Sequence, residues 1–196
     1  MDYTTNRITT IYFVRHAEPN ISNHDDSLRE LSSKGLEDRT LVTRFLSGKQ
    51  IDVVLSSPYK RAVDTVLDFA QQNNLNVQTV DNFKERKIDH VWISDFNAFC
   101  EAQWNDFNYK LPGGESLAEV QYRNVTALQD VLRTYSGKRI VIGSHGTALS
   151  TIINYYDKSF GYLQYQKIKH LMPWIVQFTF TGEVCCSIQA YNLFES

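Results

Sequence analysis

The sequence has few of the residues that mark secreted, membrane-spanning or disordered proteins. Its 196 residues include only three cysteines, four prolines and nine glycines. Three cysteines cannot build a disulfide framework, and Cys185 and Cys186 would point to opposite faces of a predicted strand, so we expect a reducing, cytoplasmic location. The N-terminus lacks the apolar core of a signal peptide, and no apolar run approaches the ~20 residues of a membrane helix. We therefore expect a soluble protein with no membrane partner.

A strong charge of either sign is also missing. The formal net charge is -2, and charged residues make up 21% and hydrophobic residues 42% of the chain. This balance excludes both a disordered chain and the broad basic surface that a nucleic-acid partner requires. No repeat of fixed period, low-complexity tract or linker rich in Pro, Gly and Ser interrupts the sequence. We predict a single domain over residues 1–196, in which any anion site must be built from a few local residues.

Short β-branched runs alternate with amphipathic helical patterns along most of the chain, which is typical of an α/β fold. The predicted strands cover residues 8–14, 51–55, 76–80 and 139–144, and a hairpin of strands at 172–180 and 184–191 closes the chain. The first predicted helix, about residues 33–47, has a buried stripe formed by Leu36, Leu41, Val42, Phe45 and Leu46. Pro58 is predicted in the first turn of the second helix.

The segment from about residue 86 to residue 111 breaks this alternation and is rich in aromatic residues. These are Trp92, Phe96, Phe99, Trp104, Phe107 and Tyr109. We interpret the segment as a helical cap inserted over one edge of the sheet, and most of its aromatic side chains as a small core of their own. The alternative is that they accommodate the organic part of a ligand.

Chemically active side chains follow four of the predicted strands. Arg15 and His16 follow the first, Ser57 begins the turn that leads to Arg61, Glu85 lies beyond the third, and His145 follows the fourth. The carboxyl ends of parallel strands form the ligand site of open α/β sheets. Guanidinium groups bind phosphate, a neutral imidazole can attack it, and a cation in the first turn of a helix is favourable only beside an anion. The pattern predicts phosphate chemistry at His16; the alternative is a histidine that caps its strand beside solvated arginines.

A second cluster of polar residues, His24-Asp25-Asp26, has the composition of a metal site. No second pair of ligands at metal-binding spacing accompanies it, so we interpret it as a solvated loop. The competing hypothesis is a metal hydrolase that uses His16, His24, Asp25 and His145.

Taken together, the motifs resemble those of the histidine phosphatase superfamily, the phosphoglycerate mutase-like proteins. They are Arg15-His16-Ala17-Glu18, Leu31 with Gly35, residues 57–62 with Thr65, Glu85, Gly114-Glu115-Ser116, and Ser144-His145-Gly146. The resemblance implies a three-layer αβα sandwich with a mostly parallel sheet and an antiparallel edge. It also implies a covalent phosphohistidine on His16, a phosphoryl group bound by Arg15, Arg61 and His145, and Glu85 as the proton donor. It requires no metal and no cofactor.

The chain departs from this family pattern at two places. Ala17 stands where the family more often has Gly, and Ile21-Ser22 replaces a Trp-Asn pair. We keep Ser22 and Gly146 as candidate substrate-binding residues. The Gly-rich pattern that often follows the donor Glu is absent after Glu85, so Glu18, Glu30 and Glu101 are the alternative acids.

The chain length is closer to the phosphatases than to the mutases of this family. We predict a phosphomonoesterase that acts on a small phosphorylated metabolite; the alternatives are mutase-type phosphoryl transfer and a non-catalytic module that binds a phosphorylated ligand. Lys60, Lys84 and Lys87 are candidates to meet a second phosphate or a carboxylate of the ligand. His90 and His170 receive no chemical role.

Overall fold

The computed structural model describes residues 7–89 and 93–195, so His90 and Trp92 lie outside the described residues. Its strands are β1 (Ile8–Arg15), β2 (Val53–Ser56), β3 (Val77–Thr79), β4 (Arg139–Ser144), β5 (Trp174–Thr181) and β6 (Val184–Tyr191). They form one six-stranded sheet in the order β3-β2-β4-β1-β5-β6. The strands that lead to the predicted site residues therefore lie side by side, and the hairpin that closes the chain lies beyond β1.

The neighbouring strands β3, β2, β4 and β1 are parallel, and β5 and β6 form an antiparallel edge beside β1. Arg15 on β1 is paired in register with Ser144 on β4, and Ser56 on β2 is paired with Gly143. The residues that follow β1, β2 and β4 therefore emerge at the same edge of the sheet. The predicted parallel sheet with an antiparallel edge is confirmed.

Six helices within residues 7–89 and 93–195 connect or flank these strands. They are α1 (Ser33–Leu46), α2 (Lys60–Gln72), α3 (Phe96–Asn105), α4 (Leu117–Thr134), α5 (Gly146–Tyr156) and α6 (Tyr162–Ile168), and a short 3₁₀ turn covers Asp81–Phe83. Ser116 and Glu119 cap α4 reciprocally, each side chain accepting the other residue's backbone N–H. The sequence did not predict α6.

The alternation of side chains along β1 explains the three layers. Ile11 and Phe13 point to the face covered by α4 and α5, whereas Tyr12 and Val14 point to the face covered by α1 and α2. Apolar residues of both helix pairs complete the two cores, so the αβα sandwich is confirmed. No helix among the described residues has the length and apolar character needed to cross a bilayer.

Two local predictions are wrong. Leu36 is exposed and not part of the buried stripe, because the inner side of α1 at this level is occupied by Gly35. A Cβ on Gly35 would lie only 2.1 Å from the carbonyl oxygen of Glu18, so the helix meets the loop backbone there. Pro58 precedes Tyr59, the N-cap of α2, and so lies outside the first helical turn.

The predicted cap contains one helix in its described part, α3, which packs against α6. The ring of Trp104 lies 5.5 Å from that of Phe107, 6.2 Å from that of Phe160 and 5.7 Å from that of Tyr165. The Trp104 and Phe107 rings therefore share a small core with the region around α6.

Candidate active site

His16 directly follows β1 and is nearly buried, with 7% of its surface exposed. Its backbone amide donates to the carbonyl oxygen of Ser144 on the neighbouring strand at 3.0 Å. Its Nδ1 lies 2.7 Å from the carbonyl oxygen of Ala17. Because a carbonyl can only accept, Nδ1 carries the hydrogen and Nε2 keeps its lone pair. This is the tautomer that a nucleophilic imidazole needs.

The loop after β1 is attached to α2 by a chain of two hydrogen bonds. The amide of Ala17 donates to Thr65 Oγ1 at 2.9 Å, and the Thr65 hydroxyl donates to the carbonyl oxygen of Arg61 at 2.7 Å. Thr65, one of the residues in the family motifs, therefore holds the loop beside His16 against the helical turn that contains Arg61.

His145 is the N-cap of α5 and is fully buried beside His16. The two imidazole centroids are 5.3 Å apart, and the ring of Tyr59 lies 5.3 Å from His145 on another side. Nε2 of His145 is 2.7 Å from the hydroxyl oxygen of Ser57, which itself accepts the Tyr59 amide at 3.2 Å. Among the described residues, Nδ1 of His145 has no hydrogen-bond partner.

Both imidazoles are held in the neutral form. Burial lowers the pKa of His16 well below its ordinary value, and the positive charges of Arg61 and Arg15 lower it further. The pKa of His145 is lowered in the same way, first by burial and then by Arg61 and His16. Neutral imidazole is required for attack by His16, and a bound anion would favour the charged form of His145.

Arg15 is also buried, and backbone carbonyl groups surround its guanidinium. Nη1 donates to the carbonyl oxygens of Ile168 at 2.8 Å and Leu171 at 3.2 Å, and Nη2 donates to that of Lys169 at 3.0 Å. These acceptors lie at and after the end of α6. The Nε atom is buried without a described partner.

Gly146, a predicted substrate-binding residue, packs against that guanidinium. A Cβ at this position would lie 3.1 Å from both Cζ and Nη2 of Arg15. This distance is shorter than nine in ten of the contacts that Cβ atoms make in proteins. The three hydrogen bonds to carbonyl groups leave the Arg15 side chain little freedom to move. Gly146 therefore makes room for Arg15.

Arg61 lies in the first turn of α2 and is 3% exposed, so it is not a solvated cation. It bonds an anion from the loop after β1: Nη1 donates to the backbone oxygen of Asp26, and Nη2 lies 3.1 Å from Asp26 Oδ1. Its guanidinium carbon lies 5.0 Å from the ring centroid of Tyr59. Residues 24–26 lie in a loop, as the sequence indicated, and the carboxylate of Asp26, which is 46% exposed, also compensates the buried charge of Arg61.

Glu85 reaches the same edge of the sheet and binds the start of α5. Its Oε2 accepts the amide of Thr147 at 2.9 Å, and its Oε1 accepts those of Ala148 at 3.0 Å and Arg86 at 2.7 Å. The positive end of the α5 dipole and three N–H groups thus fix the carboxylate next to His145, the N-cap of that helix.

The alternative carboxylates make other contacts. Glu18 accepts a hydrogen bond from the Ser32 hydroxyl at 2.7 Å, and Glu101 is exposed on α3. Hydrogen bonds from Asn23 and Asn20 lower the pKa of Glu30 to about 2. Glu85 is therefore the best placed of these acids beside the two histidines.

The other residues predicted to contact a ligand include a serine that is exposed in its own loop and two lysines that are paired with carboxylates of the protein. Ser22 is exposed, and its amide donates to Asn20 Oδ1 at 3.1 Å, within its own loop. Lys60 Nζ lies 2.8 Å from Asp64, and Lys84 Nζ lies 2.9 Å from Asp81. These two lysines are therefore paired within the protein.

The described residues include no group of three or more His, Cys, Asp or Glu side chains able to hold a metal ion. The Asp25 carboxylate accepts the amides of Ser27 and Leu28, both at 3.0 Å, and so closes a loop turn. The arrangement of ligands required by the metal-hydrolase hypothesis is therefore not found in this part of the chain.

Comparison with known proteins agrees with this geometry. Residues 11–192 match the model of the histidine phosphatase superfamily, branch 1. The chain belongs to this superfamily. Among curated members, the phosphoserine phosphatase 1 of Hydrogenobacter thermophilus is 31% identical over 152 residues, covering 69% of this chain and 70% of its own length. A metal-independent phosphoserine phosphatase of Arabidopsis thaliana is 29% identical over 165 residues, covering 74% and 67%.

Solved structures of other superfamily members share the fold. A phosphoserine phosphatase mutant from Entamoeba histolytica in complex with phosphoserine superposes with a TM-score of 0.73 and 22% identity, covering 92% of this chain and 96% of that one. A mycobacterial glucosyl-3-phosphoglycerate phosphatase superposes with a TM-score of 0.73 and 17% identity, covering 95% and 99%. The predicted superfamily is confirmed.

Proposed function

We propose that this protein is a phosphomonoesterase that hydrolyses a small phosphorylated metabolite through a phosphohistidine on His16, without a metal ion. The observation that carries the proposal is the pair of buried imidazoles, 5.3 Å apart, at an edge of the sheet that also holds two buried guanidiniums. Relatives named for phosphoserine and glucosyl-3-phosphoglycerate phosphatase activity support hydrolysis of this substrate class.

The first half-reaction transfers the phosphoryl group to His16. The lone pair of Nε2 attacks phosphorus, the bond from phosphorus to the ester oxygen breaks, and the protonated Glu85 carboxyl gives its hydrogen to the leaving alkoxide. In the second half-reaction a water attacks the phosphohistidine, Glu85 takes one of its protons, and inorganic phosphate leaves with His16 restored. Glu85 begins the next cycle protonated.

The surrounding groups stabilise the charge that spreads over the non-bridging phosphoryl oxygens. Arg15 and Arg61 supply fixed positive charge. If the Ser57 hydroxyl donates to Nε2 of His145, the buried Nδ1 of that ring carries a hydrogen for a phosphoryl oxygen. Arg61 keeps its contact with Asp26 when the substrate binds and meets the phosphoryl group with N–H groups that this contact does not use.

We also infer a single domain and a cytoplasmic location. One sheet with a core on each face spans the described chain, and the superfamily match covers residues 11–192. The three cysteines are unpaired, which suits a reducing compartment.

The experiment is a steady-state assay with p-nitrophenyl phosphate, repeated with a chelator and followed by a panel of phosphorylated metabolites. We expect full activity with the chelator and a loss of several orders of magnitude in His16→Ala. His170→Ala, which removes an exposed imidazole, is the matched control and retains wild-type activity. Inactivation by the chelator would contradict the metal-independent mechanism. Transfer of phosphate to an added hydroxyl compound instead of water would favour a mutase.

A further inference from the structure

Asp26 combines two properties that are unusual for a loop carboxylate beside a phosphate site. Its Oδ1 lies 3.1 Å from Nη2 of the buried Arg61 and 3.3 Å from Nη1 of Arg29, while 46% of its side chain is exposed. The loop is fixed there, because the Lys60 amide at the start of α2 donates to the Ser27 carbonyl oxygen at 3.0 Å. A partly exposed carboxylate, paired with Arg61 and Arg29, therefore lies against the buried guanidinium that is proposed to bind phosphate.

The charges around the site favour one kind of substrate. A phosphate bound by Arg61 would bring two negative charges close to the carboxylate of Asp26. The sequence had suggested Lys60, Lys84 and Lys87 for a second anionic group, and the first two are paired, with Asp64 and Asp81. A further carboxylate on the substrate near Asp26 would meet repulsion, whereas a cationic group would be attracted.

We propose that Asp26 is a specificity residue that selects phosphomonoesters with an ammonium group close to the phosphate over those with a carboxylate there. The inference rests on the proposed phosphatase function and names its substrate class. Asp26 acts at the substrate's organic part through its exposed carboxylate, and its contact with Arg61 fixes the position of that charge. No step of the phosphoryl transfer passes through it.

The test compares two small substrates that differ in this group alone: O-phosphoethanolamine, with an ammonium, and phosphoglycolate, with a carboxylate. We expect the ratio of their kcat/KM values to favour phosphoethanolamine in the wild type and to fall about tenfold in Asp26→Asn. Asp25→Asn is the matched control, because it removes the same charge from the same loop without touching Arg61. Its ratio stays within about twofold of wild type.

The ratio of the two kcat/KM values distinguishes substrate selection by Asp26 from positioning of Arg61 by Asp26. If Asp26 only orients Arg61, Asp26→Asn slows both substrates by the same factor, and the unchanged ratio overturns the proposal. An equal drop in Asp25→Asn also overturns it, because the effect is then one of net charge. Hydrolysis of p-nitrophenyl phosphate by the wild type supports the phosphatase function whatever the ratio shows. Inactivity on all three compounds would overturn both the phosphatase function and the role of Asp26.

Discussion

The hydroxyl oxygen of Ser57 lies 2.7 Å from Nε2 of His145, and this is the hydrogen bond by which the end of β2 orients the second histidine of the site. Both residues are fully buried. Since Nδ1 of His145 has no described partner, this bond is the only one described for the ring.

We expect Ser57→Ala to lower kcat about tenfold or more and the free energy of unfolding by about 1–3 kcal/mol, because it leaves a buried imidazole unsatisfied. Ser56→Ala is the control, since the neighbouring Ser56 hydroxyl is equally buried but has no described partner. The measurements are steady-state kinetics and urea unfolding of both variants. Equal effects in the two variants would contradict the role given to Ser57.

Gly146→Ala tests the space beside Arg15. The added methyl group would lie 3.1 Å from a guanidinium that three carbonyl groups hold in place, so we expect kcat/KM to fall about tenfold and inhibition by phosphate to weaken. Gly161→Ala is the control, because its nearest neighbour would be Gln164 Oε1 at 3.9 Å. Unchanged phosphate binding in Gly146→Ala would show that Arg15 binds phosphate without the space left by Gly146.

Glu85→Gln tests the proton donor through the leaving group. An alkyl phosphate releases a strongly basic alkoxide that needs a proton, whereas p-nitrophenolate leaves without one. We expect kcat/KM, which reports the first half-reaction, to fall about 10²–10⁴-fold on an alkyl phosphate that the wild type accepts and far less on p-nitrophenyl phosphate. Glu101→Gln, which changes an exposed carboxylate on α3, leaves both rates near wild type. Equal losses on the two substrates in Glu85→Gln would argue for a purely structural role at the start of α5.

The two buried histidines make stability depend on pH. Their pKa values are lowered in the folded state, so below the ordinary value of about 6.5 the unfolded chain binds more protons than the folded one. Stability therefore falls with decreasing pH, by up to about 1.4 kcal/mol per histidine per pH unit below that value. Urea unfolding measured from about pH 7.5 to about pH 5.5 should show a slope that is reduced by about half in His145→Gln. An unchanged slope would mean that His145 does not contribute.

The sequence predicted that most residues of the candidate site lie together because they follow strands. His16, Ser57 and His145 each come directly after a strand of β-branched residues, and parallel neighbours bring such ends to one edge. Arg61 was recognised because a cation in a first helical turn needs an anion, which is a local rule. For these residues, the sequence alone was sufficient to predict that they lie close together.

Other features depended on how distant loops fold. Nothing in the sequence near Asp26 shows that it will bond Arg61, because the contact joins residues 35 positions apart through an irregular loop. The carbonyl groups that hold Arg15 lie more than 150 positions away, at and after the end of α6, whose seven residues are too few for a clear helical period. Leu36 was assigned to the core because helical spacing does not reveal which turn of α1 meets a loop backbone.

The most direct test of the central claim is to trap the phosphorylated enzyme. Radiolabelled substrate is mixed with the protein, the reaction is stopped with alkaline detergent, in which a phosphohistidine persists, and the labelled peptide is mapped. We predict label on the peptide that contains His16 in the wild type, stronger labelling in Glu85→Gln if breakdown is slowed, and none in His16→Ala. Turnover with no label on His16, or label retained in His16→Ala, would contradict the account.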